Sequence, residues 1–255
     1  LLEKAATPIR VRVFFDVDGT LLYTDGAGRV AIQGALEEVY GTSGPIDGYV
    51  FHGKTDPRIV VELMIAAGLE AGEVRRRMPE VWPVYLRLLE RELEARKREG
   101  RIRLLPGIIE LLAALDDRSD VTIGLLTGNI EEGARLKLAA AGLGSTFGVG
   151  GFGSDSEDRA EVARAALNRC RDWGGEASAT VVLGDTPEDV ACARAVDAFA
   201  VAVATGRHKV DELLESGADA VFEDFSETEA VLSCILSLAG MDGAPADTVV
   251  KGGGR

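Results

Sequence analysis

Histidine and cysteine are the scarcest chemistry-bearing residues of this chain, 2 and 3 among 255. Cys170, Cys192 and Cys234 stand far apart, with neither a CxxC pair nor a Cys/His ligand spacing, which excludes a disulfide framework and a zinc site. No apolar run approaches the roughly 18 residues of a membrane span, so a transmembrane protein is excluded. Positive charge is also in deficit. The 28 Lys and Arg against 42 Asp and Glu leave a net charge of −14, which repels a nucleic-acid backbone or an anionic membrane surface. A small phosphorylated ligand can still be met by a local cationic pocket. The first fifteen residues lack the basic-then-apolar layout of a signal peptide, and the scattered cysteines suit a reducing compartment; both point to the cytoplasm.

What is present is an ordinary globular composition, 46% hydrophobic and 27% charged, long enough to bury a large core. Val11-Arg-Val-Phe-Phe15 is a β-branched and aromatic run that stops at Asp16-Val-Asp-Gly-Thr20, and reads as a buried strand ending in a polar turn. The same grammar recurs at Val121–Leu126 before Thr127-Gly-Asn129, at 146–149, at 180–183 before Gly184-Asp185, and at Phe199–Val203 before Thr205-Gly206. Helical patterns over 131–141 and 157–171 lie between them, with a weak strand at Ala220–Phe222 and a helix at 227–239 after them. This alternation predicts an α/β fold, a three-layer Rossmann-like core with a parallel sheet covered on both faces. From 22 to 103 the rhythm changes to helices alone: 28–40, 56–67 and 81–98, the last with Trp82, Tyr85, Leu89 and Leu93 on one face. The predicted division is a core of residues 1–21 and 104–241, a helical insertion over 22–103, and a loose tail over 242–255. The basic residues Arg96, Lys97, Arg98, Arg101 and Arg103 read as a solvated face braced by Glu92/Arg96 and Glu94/Arg98.

In an open parallel sheet, ligands bind beyond the carboxyl ends of the strands. That rule gathers Asp16, Asp18, Thr127, Asp185 and Asp189 into one crevice. Four carboxylates there repel one another unless a cation sits among them, and oxygen ligands without histidine suit Mg²⁺.

Asp16-Val-Asp-Gly-Thr-Leu21, Thr127-Gly-Asn129 and Gly184-Asp185 with Asp189 together resemble the first, second and fourth signature motifs of the haloacid dehalogenase superfamily. The helical insertion is similar to that family's small α-helical cap, and Gly53-Lys-Thr-Asp-Pro57 resembles the phosphoglycolate phosphatase-like branch. The resemblance implies Mg²⁺-dependent hydrolysis of a small phosphate monoester. Asp16 would be the nucleophile and form an aspartyl-phosphate, and Asp18 the acid and base, turned away from Asp16 by a bend in the chain. Mg²⁺ would be held by Asp16, the Asp18 main-chain carbonyl and Asp185, with Asp189 as ligand or support. Thr127 and the Gly128 amide would bind a phosphate oxygen, and Asn129 would orient Asp16 or Asp185 or cap the next helix. The family's third motif, usually a lysine, is altered here: Lys137 is the sole lysine between Gly128 and Gly184 and falls mid-helix, whereas Arg159 opens the helix before the fourth-motif strand. Arg159 is therefore assigned the phosphate-neutralising charge. Lys54 would reach over the crevice to the substrate; an exposed loop lysine is the plain alternative. His52 and His208 read as loop or surface residues. The same residues serve a phosphomutase of the β-phosphoglucomutase kind, and a catalytically silent binding protein on this fold is the reading from another class.

Overall fold

The computed structural model describes residues 11–174 and 177–240, so the tail expected over 242–255 lies outside the described residues. β1 (Val11–Phe15) is buried at every position. Its alternate side chains serve two different cores. Val11, Val13 and Phe15 join Ile108 and Leu111 of α4 (Ile108–Asp116), Leu138 of α5 (Glu131–Ala140) and Ile235 of α9 (Thr228–Leu238). Phe14 joins Val162 and Ala166 of α6 (Arg159–Gly174) and Val190 of α7 (Pro187–Arg194). β6 (Ala179–Gly184) repeats this, with Val181 and Leu183 in the first core and Val182 in the second. This period of two explains why the strands read as continuous apolar runs.

With β4 (Val121–Leu126), β5 (Gly150–Gly151), β7 (Phe199–Val203) and β8 (Ala220–Phe222), the six strands form one parallel sheet in the order β5-β4-β1-β6-β7-β8. The chain starts in the middle and builds outward on both sides. The carboxyl ends of β1, β4 and β6 therefore share the crevice where strand order reverses. The strand expected at 146–149 sits instead at Gly150–Gly151. Phe147 is buried against Phe15, ring centroids 6.0 Å apart, so its apolar signal came from packing and not from strand pairing.

The insertion leaves and rejoins the core through a short antiparallel ribbon, β2 (Leu22–Tyr23) with β3 (Arg103–Leu104), absent from the all-helical expectation for this stretch. Between them α1 (Ala27–Tyr40), α2 (Asp56–Ala66) and α3 (Ala71–Arg98) bury a separate cluster that includes Leu36, Leu63, Tyr85 and Leu89. Ile130, from the segment after β4, packs into it. α3 begins at Ala71, not at the expected Val81, and runs through Pro79 and Pro83. Both prolines are exposed, where water can satisfy the carbonyls they leave unpaired. Arg96 is not part of a solvated face. It is 8% exposed, pairs with Glu92 at 2.5 Å and donates to the Asp25 carbonyl at 3.0 Å, tying the end of α3 to the start of the insertion.

Leu89 has no exposed surface within the helical cluster. Leu89→Ala should lower the unfolding free energy by about 2–5 kcal/mol, measured by urea denaturation, through lost burial and the cavity left behind.

Candidate active site

The first motif turns immediately after β1. Asp16 still pairs as a strand residue, its amide donating to the Leu183 carbonyl at 2.9 Å. The amides of Leu21 and Leu22 then both fold back onto the Val17 carbonyl, at 2.9 and 3.2 Å. Gly19 sits at φ 86°, and a β-carbon there would lie 2.5 Å from Asp185 Oδ2, so glycine is required by both conformation and space. The turn separates the two carboxylates. Asp16 enters the buried crevice, whereas Asp18 reaches toward α5.

Carboxylate oxygens of Asp16, Asp185 and Asp189 gather within 4.8 Å of one another, and all three residues are buried. Burial, then the charge of Asp189, pushes the Asp16 carboxyl up to about 7, against the opposing pull of Arg159 and a hydrogen bond with Thr127. Burial and the neighbouring Asp189 and Asp16 also raise Asp185 well above the carboxylate range. Thr20 Oγ1 donates to Asp185 at 3.3 Å. Arg159, its side chain 11% exposed, contacts Asp189 Oδ1 and lies 3.6 Å from Asp16 Oδ1. Asp189 is already committed on both oxygens: Oδ2 accepts from the Thr186 amide at 3.1 Å and its hydroxyl at 2.6 Å, closing the capping box of α7. Its place is to hold Arg159 and the start of α7. Three buried carboxylates against one guanidinium, with oxygen donors only, fit a hard divalent cation such as Mg²⁺.

Thr127 follows β4 directly and has no exposed surface, its amide donating to the Gly151 carbonyl at 3.1 Å. Asn129 neither bonds to Asp16 or Asp185 nor caps α5 through its side chain, as had been expected. Its Nδ2 donates to Thr127 Oγ1 at 2.8 Å and to Asp18 Oδ2 at 2.9 Å. Lys137, although it falls mid-helix, reaches the site all the same. It is 4% exposed and its ammonium donates to Asp18 Oδ2 at 2.5 Å and to Asn129 Oδ1 at 2.6 Å. A signal for it was available. Lys137 follows Ala134 by three residues and precedes Leu138, both buried, which puts a lysine on the apolar face of α5.

The segment 54–56 is clamped over the second motif. A β-carbon on Gly128 would lie 2.2 Å from the Lys54 carbonyl oxygen, and only glycine permits that approach. The Asp56 amide donates to the Gly128 carbonyl at 2.7 Å, and Asp56 Oδ2 accepts the Ile130 amide at 2.9 Å. The residue that leads into α5 is thus held by one from the insertion. Thr55 Oγ1 adds a bond to the Glu157 carbonyl at 3.0 Å, and Arg75 grips the Glu157 carboxylate at 2.8 and 2.9 Å. The enclosed Asp56 carboxyl is raised to about 6, against the pull of Lys137. Between insertion and core lies a cavity of about 410 Å³ lined by Asp16, Asp18, Lys54, Tyr85, Arg159 and Asp185 among others. Lys54 lines it, with its ammonium paired with Glu62 at 2.5 Å and 4.2 Å from the Tyr49 ring centroid. His52 lines it as well. Arg29 and Arg207 complete the cationic side without a carboxylate partner among the described residues; Arg29 donates to the Ile46 carbonyl at 2.6 Å and lies over Phe51.

Among curated proteins, a phosphoglycolate phosphatase of Synechococcus elongatus is 30% identical over 126 residues, 49% of this chain and 58% of that protein. One of Rhodospirillum rubrum is 33% identical over 122 residues, 48% of this chain and 49% of that protein. The chain thus spans roughly half the length of these relatives. A hydrolase from Pseudomonas syringae superimposes with a TM-score of 0.61 at 22% identity, over 88% of this chain and 98% of that one, and shares its fold. A haloacid dehalogenase-like family hydrolase from Streptococcus pneumoniae does so with a TM-score of 0.59 at 21% identity, over 88% and 99%. The family model of haloacid dehalogenase-like hydrolases matches residues 13–194, from β1 through α7, and with its motif residues at the ends of β1, β4 and β6 the chain belongs to that family.

Proposed function

We propose that the protein is a Mg²⁺-dependent phosphatase that hydrolyses a small phosphate monoester through an aspartyl-phosphate on Asp16. The observation that carries this reading is one buried crevice in which Asp16 meets Arg159, Thr127 and the Asp185 carboxylate while Asp18 stands apart on the same cavity. Phosphoryl transfer asks for an in-line nucleophile, neutralised phosphoryl oxygens and a proton for the leaving oxygen. An Asp16 oxygen attacks phosphorus as the ester oxygen departs with a proton from Asp18. Asp18 then takes a proton from water, which attacks the aspartyl-phosphate and frees Asp16 and inorganic phosphate. Arg159, held by Asp189, neutralises phosphoryl charge, and Thr127 with the Gly128 amide binds a phosphoryl oxygen. Mg²⁺, held by Asp16, Asp185 and the Asp18 main-chain carbonyl, with Asp189 steadying the set, would supply further charge neutralisation.

Residues 22–103 act as a cap over the core of residues 1–21 and 104–241. The 54–56 clamp keeps bulk water from the acyl-phosphate. Arg29 and Arg207 favour a leaving group that is itself anionic, in line with the phosphoglycolate phosphatase names of the relatives; sugar phosphates are the other small-ester class to test. No helix among the described residues is long and apolar enough to cross a membrane. Three free thiols suit the reducing cytoplasm.

A panel of small phosphate esters, assayed for inorganic phosphate with and without Mg²⁺ and with no bisphosphate activator, tests the reading; no phosphate release, together with isomerisation of a sugar phosphate that depends on added sugar bisphosphate, would make the protein a phosphomutase. Asp16→Asn should abolish phosphate release while leaving the melting temperature close to that of the parent, because an amide fills the same volume but cannot attack phosphorus. Treatment with EDTA should remove activity and added Mg²⁺ should restore it; full turnover after thorough chelation would sink the metal assignment. Arg159→Ala should lower kcat about a hundredfold, more than it raises KM, since its charge counts most in the transition state, and Arg159→Lys should recover part of the loss.

A further inference from the structure

Two cations enter this site, and they serve different carboxylates. Arg159 contacts Asp16 and Asp189; Lys137 contacts Asp18 and Asn129, and no ion pair joins Lys137 to Asp16 among the described residues. The phosphate-neutralising role has an occupant in Arg159, which leaves a 4% exposed lysine without a part in the reaction as proposed above. A buried ammonium needs charged or strongly polar partners, and the two partners of Lys137 are Asp18 and the amide that also grips Asp18.

We infer that Lys137 is a positioning residue for the proton transfer: its ammonium and the Asn129 amide hold Asp18 Oδ2, so that Oδ1 alone carries the leaving-group proton. Oδ2 accepts from Lys137 at 2.5 Å and from Asn129 at 2.9 Å, whereas Oδ1 has no hydrogen bond among the described residues. The Asp18 side chain is 42% exposed and lines the cavity. An ammonium is a donor only, so an oxygen facing it is the poorer place for a proton. As the ester O–P bond breaks and the Asp16 O–P bond forms, the proton passes from Asp18 Oδ1 to the leaving oxygen. Negative charge then grows on the Asp18 carboxylate beside the fixed ammonium, which lowers the barrier where the leaving oxygen needs that proton. Asn129 keeps the alignment from both sides, donating to Asp18 and to Thr127 while accepting from Lys137.

The inference rests on the proposed phosphatase reaction, and the test separates the two. Values of kcat/KM, which report the steps through departure of the leaving group, are compared for an alkyl phosphate ester found active in the panel and for p-nitrophenyl phosphate. The nitrophenolate leaves without needing a proton. Lys137→Met should reduce kcat/KM about a hundredfold on the alkyl ester but no more than about fivefold on the aryl ester, and Asp18→Asn should show the same selectivity to a greater degree. If Lys137→Met does not fold, as judged by its melting curve, Lys137→Gln is read in the same way and should show the same direction. Equal losses on both esters in the Lys137 variants, or near-parental kinetics, alongside a selective Asp18→Asn, would overturn the inference and leave the phosphatase reading standing. An Asp18→Asn variant without selectivity would remove Asp18 as the acid, and the inference with it.

Discussion

Three carboxylates, Asp16, Asp185 and Asp189, are drawn out of water into one crevice, and much of the surrounding structure serves to make that tolerable. Two unit negative charges about 4–5 Å apart repel by roughly 3–4 kcal/mol at an effective dielectric near 20. One guanidinium, Arg159, lies against two of them, and burial first, then the carboxylate charge left uncompensated, raises the Asp16 and Asp185 carboxyls. The same imbalance makes the crevice a good place for a divalent cation and for the arginine-assisted binding of a phosphoryl group. Gly19 is fixed by this crowding, because any larger residue would strike Asp185.

The second motif is where the insertion and the core meet. Helix α5 has no side-chain cap from Ile130, the residue before it; the Ile130 amide donates to Asp56 from the insertion, and the first amide of the helix, Glu131, donates to Ser154 Oγ at 3.2 Å. The same helix carries Lys137 back to Asp18 from its buried face. Seating of the 54–56 segment on Gly128 and Ile130 therefore acts on the element that positions Lys137 and Asn129. Glu62 pairs Lys54 away from free solution, and its hydrogen bonds to Lys54, Arg58 and Tyr49, overcoming the opposing effect of desolvation, hold the Glu62 carboxyl down to about 2. Arg29 and Arg207 are the cations on this side that keep no carboxylate partner among the described residues.

Period and motif order were enough for the core. Each main strand carries apolar residues on both faces and ends in a polar turn, and that signal is local, so β1, β4, β6, β7 and β8 could be read to within a residue. The short strand before α6 could not. Phe147 and Val149 are buried by packing, pairing with β4 starts at the Val149 carbonyl, which accepts from the Leu125 amide at 3.0 Å, and the strand itself is two glycines whose missing side chains give no period to read. The start of α3 was hidden in a similar way: Pro79 and Pro83 look like breakers in sequence, yet both lie on the exposed side where the helix can tolerate them.

At the site, the sequence by itself determined the carboxylates, the threonine and the direction from which they converge, since these follow from strand ends and from Asp-Val-Asp-Gly-Thr, Thr-Gly-Asn and Gly-Asp runs. It also singled out Arg159, by its place at the start of α6. Only the tertiary structure decided what the side chains touch. The motif order places Asn129 next to Thr127, but its choice of Asp18 over Asp16 depends on the turn at Gly19 and on Lys137 arriving from the far side. Lys137 stands 119 residues from Asp18, and Asp56 stands 74 from Ile130. Contacts at such separations are set by how helices and loops pack across the crevice, a property of the folded whole that no local spacing encodes.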